Sequence, residues 1–224
     1  MQKSLYNLLL TVALLITANL SIAEEANPQV MLKTEAGDIV IELYPKAAPV
    51  TVDNFVKLVN DFHYDGLIFH RVIEGFMIQT GGFTFDLSPR ESSRSAIVNE
   101  SANGLKNKRG TIAMARMADP DSAKAQFFIN HKNNRFLDAR DENPGYAVFG
   151  KVISGMNVVD TIAVAETQTV SMYQNVPVAA IRILSARLVN PEAWSALPEP
   201  EAKILSFERP IPVSYTHLRA HETR

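Results

Sequence analysis

From Gln29 onward the chain is dominated by short runs in which apolar and polar residues alternate, the period of half-buried strands. Val30–Thr34 and Ile39–Leu43 flank Glu35-Ala36-Gly37-Asp38, a turn-forming sequence, so a hairpin is predicted to open the fold. The period then changes. Pro49 and Thr51 precede Val52, Phe55, Val56 and Val59, the spacing of an amphipathic helix with Thr51 as its N-cap and an end near Phe62. Further short β-rich runs follow at 68–72, 76–80, 110–114, 126–130 and 148–153, divided by Gly, Pro, Asn and Asp clusters. Ser154 ahead of Met156, Val159 and Ile162 signals a second helix, and 180–189 a last strand. Roughly eight strands and two helices predict a mainly β fold in which the sheet closes and so loses its exposed edges.

Both ends differ from this body. Lys3, the apolar run Leu8–Ala18 and the small residues Ser21 and Ala23 before Glu24 have the layout of a cleaved signal peptide over residues 1–23. The apolar run falls short of the roughly 20 residues that span a bilayer. Export to a Gram-negative periplasm, with no membrane attachment after cleavage, is the expectation. The folded domain is expected over 24–189. Residues 190–212, with Pro191, Pro198 and Pro200 among acidic residues, read as a weakly packed extension on which Trp194 and Ile204-Leu205 are candidate docking points. Residues 213–224 resemble a translated sequencing adapter, so His217 and His221 at helical spacing are not taken as a metal site.

Composition narrows the chemistry. The formal net charge is −2 and no polybasic run occurs, which argues against nucleic acid as a partner. Cysteine is absent, so disulfides, thiolate metal sites and a cysteine nucleophile are excluded together. The sequence contains no G-x-S-x-G, H-E-x-x-H, G-x-x-x-x-G-K-[ST] or G-x-G-x-x-G signature. His63, His70 and His131 lack ligand-like spacing and are assigned structural roles.

Four blocks are specific: 69–82 (FHRVIEGFMIQTGG), 110–115 (GTIAMA), 126–129 (QFFI) and 146–152 (YAVFGKV). In this order they resemble the cyclophilin family of peptidyl-prolyl isomerases, over about Val30 to Val189 and closest to its periplasmic bacterial branch. The resemblance implies a closed eight-stranded antiparallel β-barrel capped by two α-helices. It also implies catalysis without a cofactor or metal, and proline-containing unfolded or exposed polypeptide segments as partners. A monomer is expected. The rival reading is a non-catalytic proline-peptide module or holdase chaperone using the same groove.

Isomerisation of an X-Pro bond has two end states of similar energy separated by a barrier of about 18–20 kcal/mol. A catalyst therefore has to favour the twisted amide, in which the nitrogen lone pair is free to accept a hydrogen bond. A guanidinium is a permanently charged donor for it, and Arg71 in the first block is the candidate. By the resemblance, Phe76, Met77, Phe128 and Leu137 form the proline pocket, Gln79 bridges Arg71 and a substrate carbonyl, and Ala115, Arg116 and Gln126 line the peptide groove. Phe136 and Tyr146 stand where eukaryotic members typically have Trp and His, and complete the groove. Without the indole N–H donor, cyclosporin binding is expected to be weak.

Overall fold

A computed structural model describes residues 26–141 and 143–195. The expected signal peptide, residues 196–212 of the extension and the tail 213–224 lie outside the described residues. The chain order is β1 (Gln29–Thr34), β2 (Gly37–Leu43), helix α1 (Pro49–Asn60), β3 (Arg71–Ile73), β4 (Met77–Thr80), β5 (Thr111–Met114), β6 (Phe127–Asn130) and a 3-10 turn (Arg135–Leu137). There follow β7 (Val148–Ser154), helix α2 (Met156–Ala163), β8 (Thr167–Val170), β9 (Tyr173–Pro177), β10 (Ile183–Leu188) and a short helix α3 (Pro191–Ser195).

Eight strands form one antiparallel sheet in the order β10-β1-β2-β7-β5-β6-β4-β3. The expectation of a closed barrel needs correction here. The sheet is a curled half-barrel, because its outer strands β3 and β10 are not laddered to each other. They meet just ahead of β3, through the single bridge Ile68–Arg182 and backbone bonds such as Ile183 N–H to Leu67 O at 2.8 Å. β3 has only three residues, and its outer side is packed by β9.

The hairpin β8–β9 is absent from the sequence expectation for a clear reason. Thr167–Val170 is exposed over its first three positions and carries no apolar alternation. Among the described residues three helices are present rather than two: α3 falls in the segment read as extension, and its Trp194 packs on the main core. Asn190 ties this segment down, accepting from Gln29 N–H at 2.6 Å and donating to Asn27 O at 3.0 Å.

Helix α1 begins three residues earlier than expected. Pro49 occupies its first turn with φ preset for a helix, and Ala48 stands in the N-cap position without a side-chain bond. Thr51 is not the cap. A remote carboxylate does that work: buried Glu100 accepts from Val50 N–H (3.1 Å), Thr51 N–H (2.8 Å) and Thr51 Oγ1 (2.7 Å), satisfying donors at the positive end of the helix. At α2 the N-cap is Gly155 with φ +87, not Ser154, which ends β7. A Cβ at Gly155 would strike Asp38 O, so the turn into α2 requires glycine.

The main core fills the concave side of the sheet beneath α1 and α2. Phe55 of α1 sits at its centre, 5.2–5.3 Å from the rings of Tyr64, Phe127 and Phe149. A second, smaller cluster of Met77, Ala113, Phe128, Leu137 and Val148 lies on the opposite face of the same strands.

Candidate active site

Successive strand residues point to opposite faces, so each strand that feeds the core also feeds the outer cluster. Register does the rest. Arg71 of β3 pairs with Gln79 of β4, Gln79 with Phe128 of β6, Phe128 with Ala113 of β5, and Ala113 with Val148 of β7. One cross-strand row thus sets a guanidinium, an amide and an aromatic ring side by side from residues as distant in sequence as 71 and 148.

Loops close the row into a pocket. Arg71, Phe76, Met77, Gln79, Ala115, Arg116, Phe128, Leu137 and Tyr146 surround a cavity of about 180 Å³. All nine were expected site residues. Gln126 stands beside the wall, its Oε1 accepting from Gln79 Nε2 at 2.9 Å. The segment just ahead of β6 approaches Gly81-Gly82 so closely that a Cβ at Gly82 would overlap the Gln126 side chain. Gln79 therefore turns toward Gln126 and makes no bond to Arg71, unlike the expected bridge. Phe136 lies outside the wall and is 58% exposed, its ring stacked on Phe76 at 5.5 Å.

Arg71 has no carboxylate partner among the described residues. Its contacts are soft: a guanidinium N–H reaches Met77 Sδ at 3.9 Å, and Cζ lies 5.8 Å from the centre of the Phe76 ring. Such a donor is oriented by its surroundings but not consumed by them. Arg116 is held more firmly, donating to Gly145 O (3.0 Å) and Met117 O (2.9 Å) and lying 4.6 Å over the Tyr146 ring. Tyr146 in turn meets Phe128 edge-on at 5.7 Å. The neighbouring His70 is buried and its pKa is lowered to about 4, first by desolvation and further by the Arg71 charge, so it stays neutral at neutral pH.

Behind the pocket lies a polar network that the sequence reading missed. Asn134 Nδ2 donates to Phe76 O (2.9 Å) and Asn130 Oδ1 (2.7 Å); Asn130 Nδ2 donates to Asn107 Oδ1 (3.1 Å) and Thr111 Oγ1 (3.0 Å). Asn107 reaches Leu137 O at 3.2 Å and Asp138 Oδ1 at 3.2 Å. Two pocket walls, Phe76 and Leu137, are thereby fixed through their backbones. The only sequence signal was Asn130 itself, an amide closing the otherwise apolar strand 127–130.

The wall combines a charged hydrogen-bond donor, amides and an apolar bowl sized for a small ring. It can hold a compact apolar group and present an N–H donor to one side of it. Comparison with known proteins agrees with this. The family model described as cyclophilin type peptidyl-prolyl cis-trans isomerase/CLD matches residues 29–188. A peptidyl-prolyl cis-trans isomerase of Acinetobacter baylyi is 51% identical over 163 residues, covering 73% of this chain and 86% of that protein. Peptidyl-prolyl cis-trans isomerase A of Dickeya dadantii is 46% identical over 189 residues, covering 84% of this chain and 99% of that protein. Among solved structures, a Cryptosporidium parvum cyclophilin type isomerase determined in the presence of the dipeptide Ala-Pro has a TM-score of 0.59 at 26% identity, covering 70% of this chain and 96% of its own.

Proposed function

The chain belongs to the cyclophilin type peptidyl-prolyl cis-trans isomerase family and is an isomerase, and from that premise we propose that Arg71 carries the catalysis by hydrogen bonding to the prolyl nitrogen of the twisted amide. The observation that supports this most is the guanidinium of Arg71 in the wall of the apolar pocket, without a carboxylate partner among the described residues. In the planar amide the nitrogen lone pair is shared with the carbonyl and accepts poorly. As the bond twists the lone pair localises, and the donor bond forms only then, so it stabilises the transition state and not the ground state.

Phe76, Met77, Phe128 and Leu137 hold the proline ring, as the Ala-Pro dipeptide used with the Cryptosporidium parvum enzyme suggests for a ligand of this class. Ala115, Arg116 and Gln126 guide the flanking backbone, so substrates are proline-containing segments of unfolded or exposed chain, recognised more by shape than by sequence. The signal-like residues 1–23 support action on exported proteins in the periplasm, where unaided proline isomerisation takes tens to hundreds of seconds. Mature protein beginning at Glu24, read by intact mass from a periplasmic fraction, is the expected outcome; retention of residues 1–23 overturns that part.

The catalytic reading is tested by exchange NMR on a proline peptide, measuring affinity and isomerisation rate for Arg71→Ala, Arg71→Lys and Phe128→Ala. Arg71→Ala is expected to lose about 30- to 1000-fold in rate, the loss of one preorganised donor worth roughly 2–4 kcal/mol, with little change in affinity. Arg71→Lys rescues little because the planar fork is gone. Phe128→Ala weakens affinity and turnover together. If Arg71→Ala binds tenfold more weakly yet turns over bound peptide at the parental rate, Arg71 is a binding residue only.

A further inference from the structure

Arg71 borders two cavities, and only one of them is the proline pocket. On its other side a recess of about 300 Å³ is lined by His70, Arg71, Met172, Tyr173, Gln174 and Asn175. Four of these residues come from the β8–β9 hairpin, which packs on β3.

The hairpin is anchored so as to carry its tip to this place. Tyr173 meets the Phe83 ring at 5.0 Å, and Phe83 meets His70 at 4.7 Å, so a column of three rings pins the start of β9 to the residue preceding Arg71. Neutral His70 completes that column without adding a charge beside Arg71. Val170 pairs with Tyr173, and the tight turn between them, with Ser171 at φ +53, projects Met172 outward. Met172 is 80% exposed, the most exposed large apolar side chain among the described residues. An unbranched thioether left in water at the mouth of a cavity is a poor core residue and a good adaptable contact.

We propose that this recess is a second substrate subsite, in which Met172 receives the apolar side chain of a residue flanking the proline while the amides of Gln174 and Asn175 lie beside the peptide backbone. The occupant follows from continuity: a chain with its proline ring on the Phe76 side of Arg71 has this recess as its next concavity across the same guanidinium. The hairpin therefore determines which X-Pro segments are turned over best. The proposal rests on the isomerase reading above.

The test uses short peptides differing only in leucine or glycine at the positions before and after the proline, with affinity from NMR shift titration and rate from exchange. The parent is expected to favour leucine on one side by about threefold to tenfold, less than a closed pocket gives because the recess is open. Met172→Ala is expected to reduce that preference to near unity, and Met172→Leu to keep most of it. An equal preference in the parent and Met172→Ala, or none in the parent, overturns the subsite. If the parent isomerises no peptide, the isomerase reading fails, while the affinity ratio still decides whether the recess reads the flanking residue.

Discussion

Strands β4 to β7 carry two apolar clusters back to back, and the same residue types serve different ends in them. On the concave face Ile78, Ile112, Met114, Phe127, Ile129 and Phe149 pack under α1. On the convex face Met77, Ala113, Phe128 and Val148, each one residue away along its strand, line or underlie the pocket. Phe127 and Phe128 are both buried, 0% and 4% exposed. They differ in what faces them: Phe127 meets Phe55 and Tyr64 edge-on at 5.3 and 5.4 Å, whereas Phe128 meets Tyr146 and then open cavity. Burial marks both faces, but only the concave face is filled; function occupies the face whose packing is left incomplete.

Truncating each ring is the sharpest way to break this comparison. Phe127→Ala leaves a void walled by α1 and is expected to cost about 3–5 kcal/mol of stability. Phe128→Ala only enlarges a cavity that water already reaches, and is expected to cost less than half as much while losing peptide affinity. Urea melts of both variants check this, and equal losses would show that the two faces are energetically alike.

Acid distinguishes the faces next. His70 is buried beside Arg71 and against the Phe83 ring, with its pKa lowered to about 4 from an ordinary 6.5. Its folded pKa is the lower one, so the unfolded chain takes up a proton first as pH falls. Stability is expected to be full above about 6.5 and to decline toward pH 4 by as much as about 3 kcal/mol. Burial depresses His63 in the same direction, so His70→Gln should flatten the pH dependence in part and not abolish it. Melts of the parent and His70→Gln between pH 4 and 7 measure the difference; parallel curves would remove His70 from the account.

The smallest effect on stability is expected at the outer rim. Phe136 stacks on Phe76 and is otherwise exposed, so Phe136→Trp should change melting by no more than about 0.5 kcal/mol. The added indole donor should tighten cyclosporin by about 10- to 100-fold with small-peptide turnover little changed. Calorimetric titration decides it, and nanomolar binding by the parent would show that the groove does not need the indole.

The eight strands of the main sheet and both longer helices were legible in the chain because they repeat local patterns, alternation for strands and helical spacing at 52–59. The pocket-lining residues were named by the family resemblance, seven of the nine lying in its four contiguous blocks and Arg116 and Leu137 outside them. What failed were features without a local pattern. Glu100 caps a helix 50 residues away, and nothing near residue 100 announces it. The Asn107–Asn130–Asn134 network is three separate amides until the fold stacks them. The β8–β9 hairpin has a polar, exposed first strand, so hydrophobicity could not reveal it. The half-barrel, in place of a closed one, depends on how far two edges curl toward each other.

By itself, then, the sequence determined which residues alternate, where the period changes and which residue types are available to the site, since these depend on neighbours along the chain. Only the tertiary structure decided that Arg71 stands between two cavities with no carboxylate partner among the described residues, that Gln79 turns to Gln126, and that Met172 lines the same recess as Arg71. Those outcomes are set by cross-strand register and by distances between segments up to a hundred residues apart, which the local free energies of the chain do not encode separately.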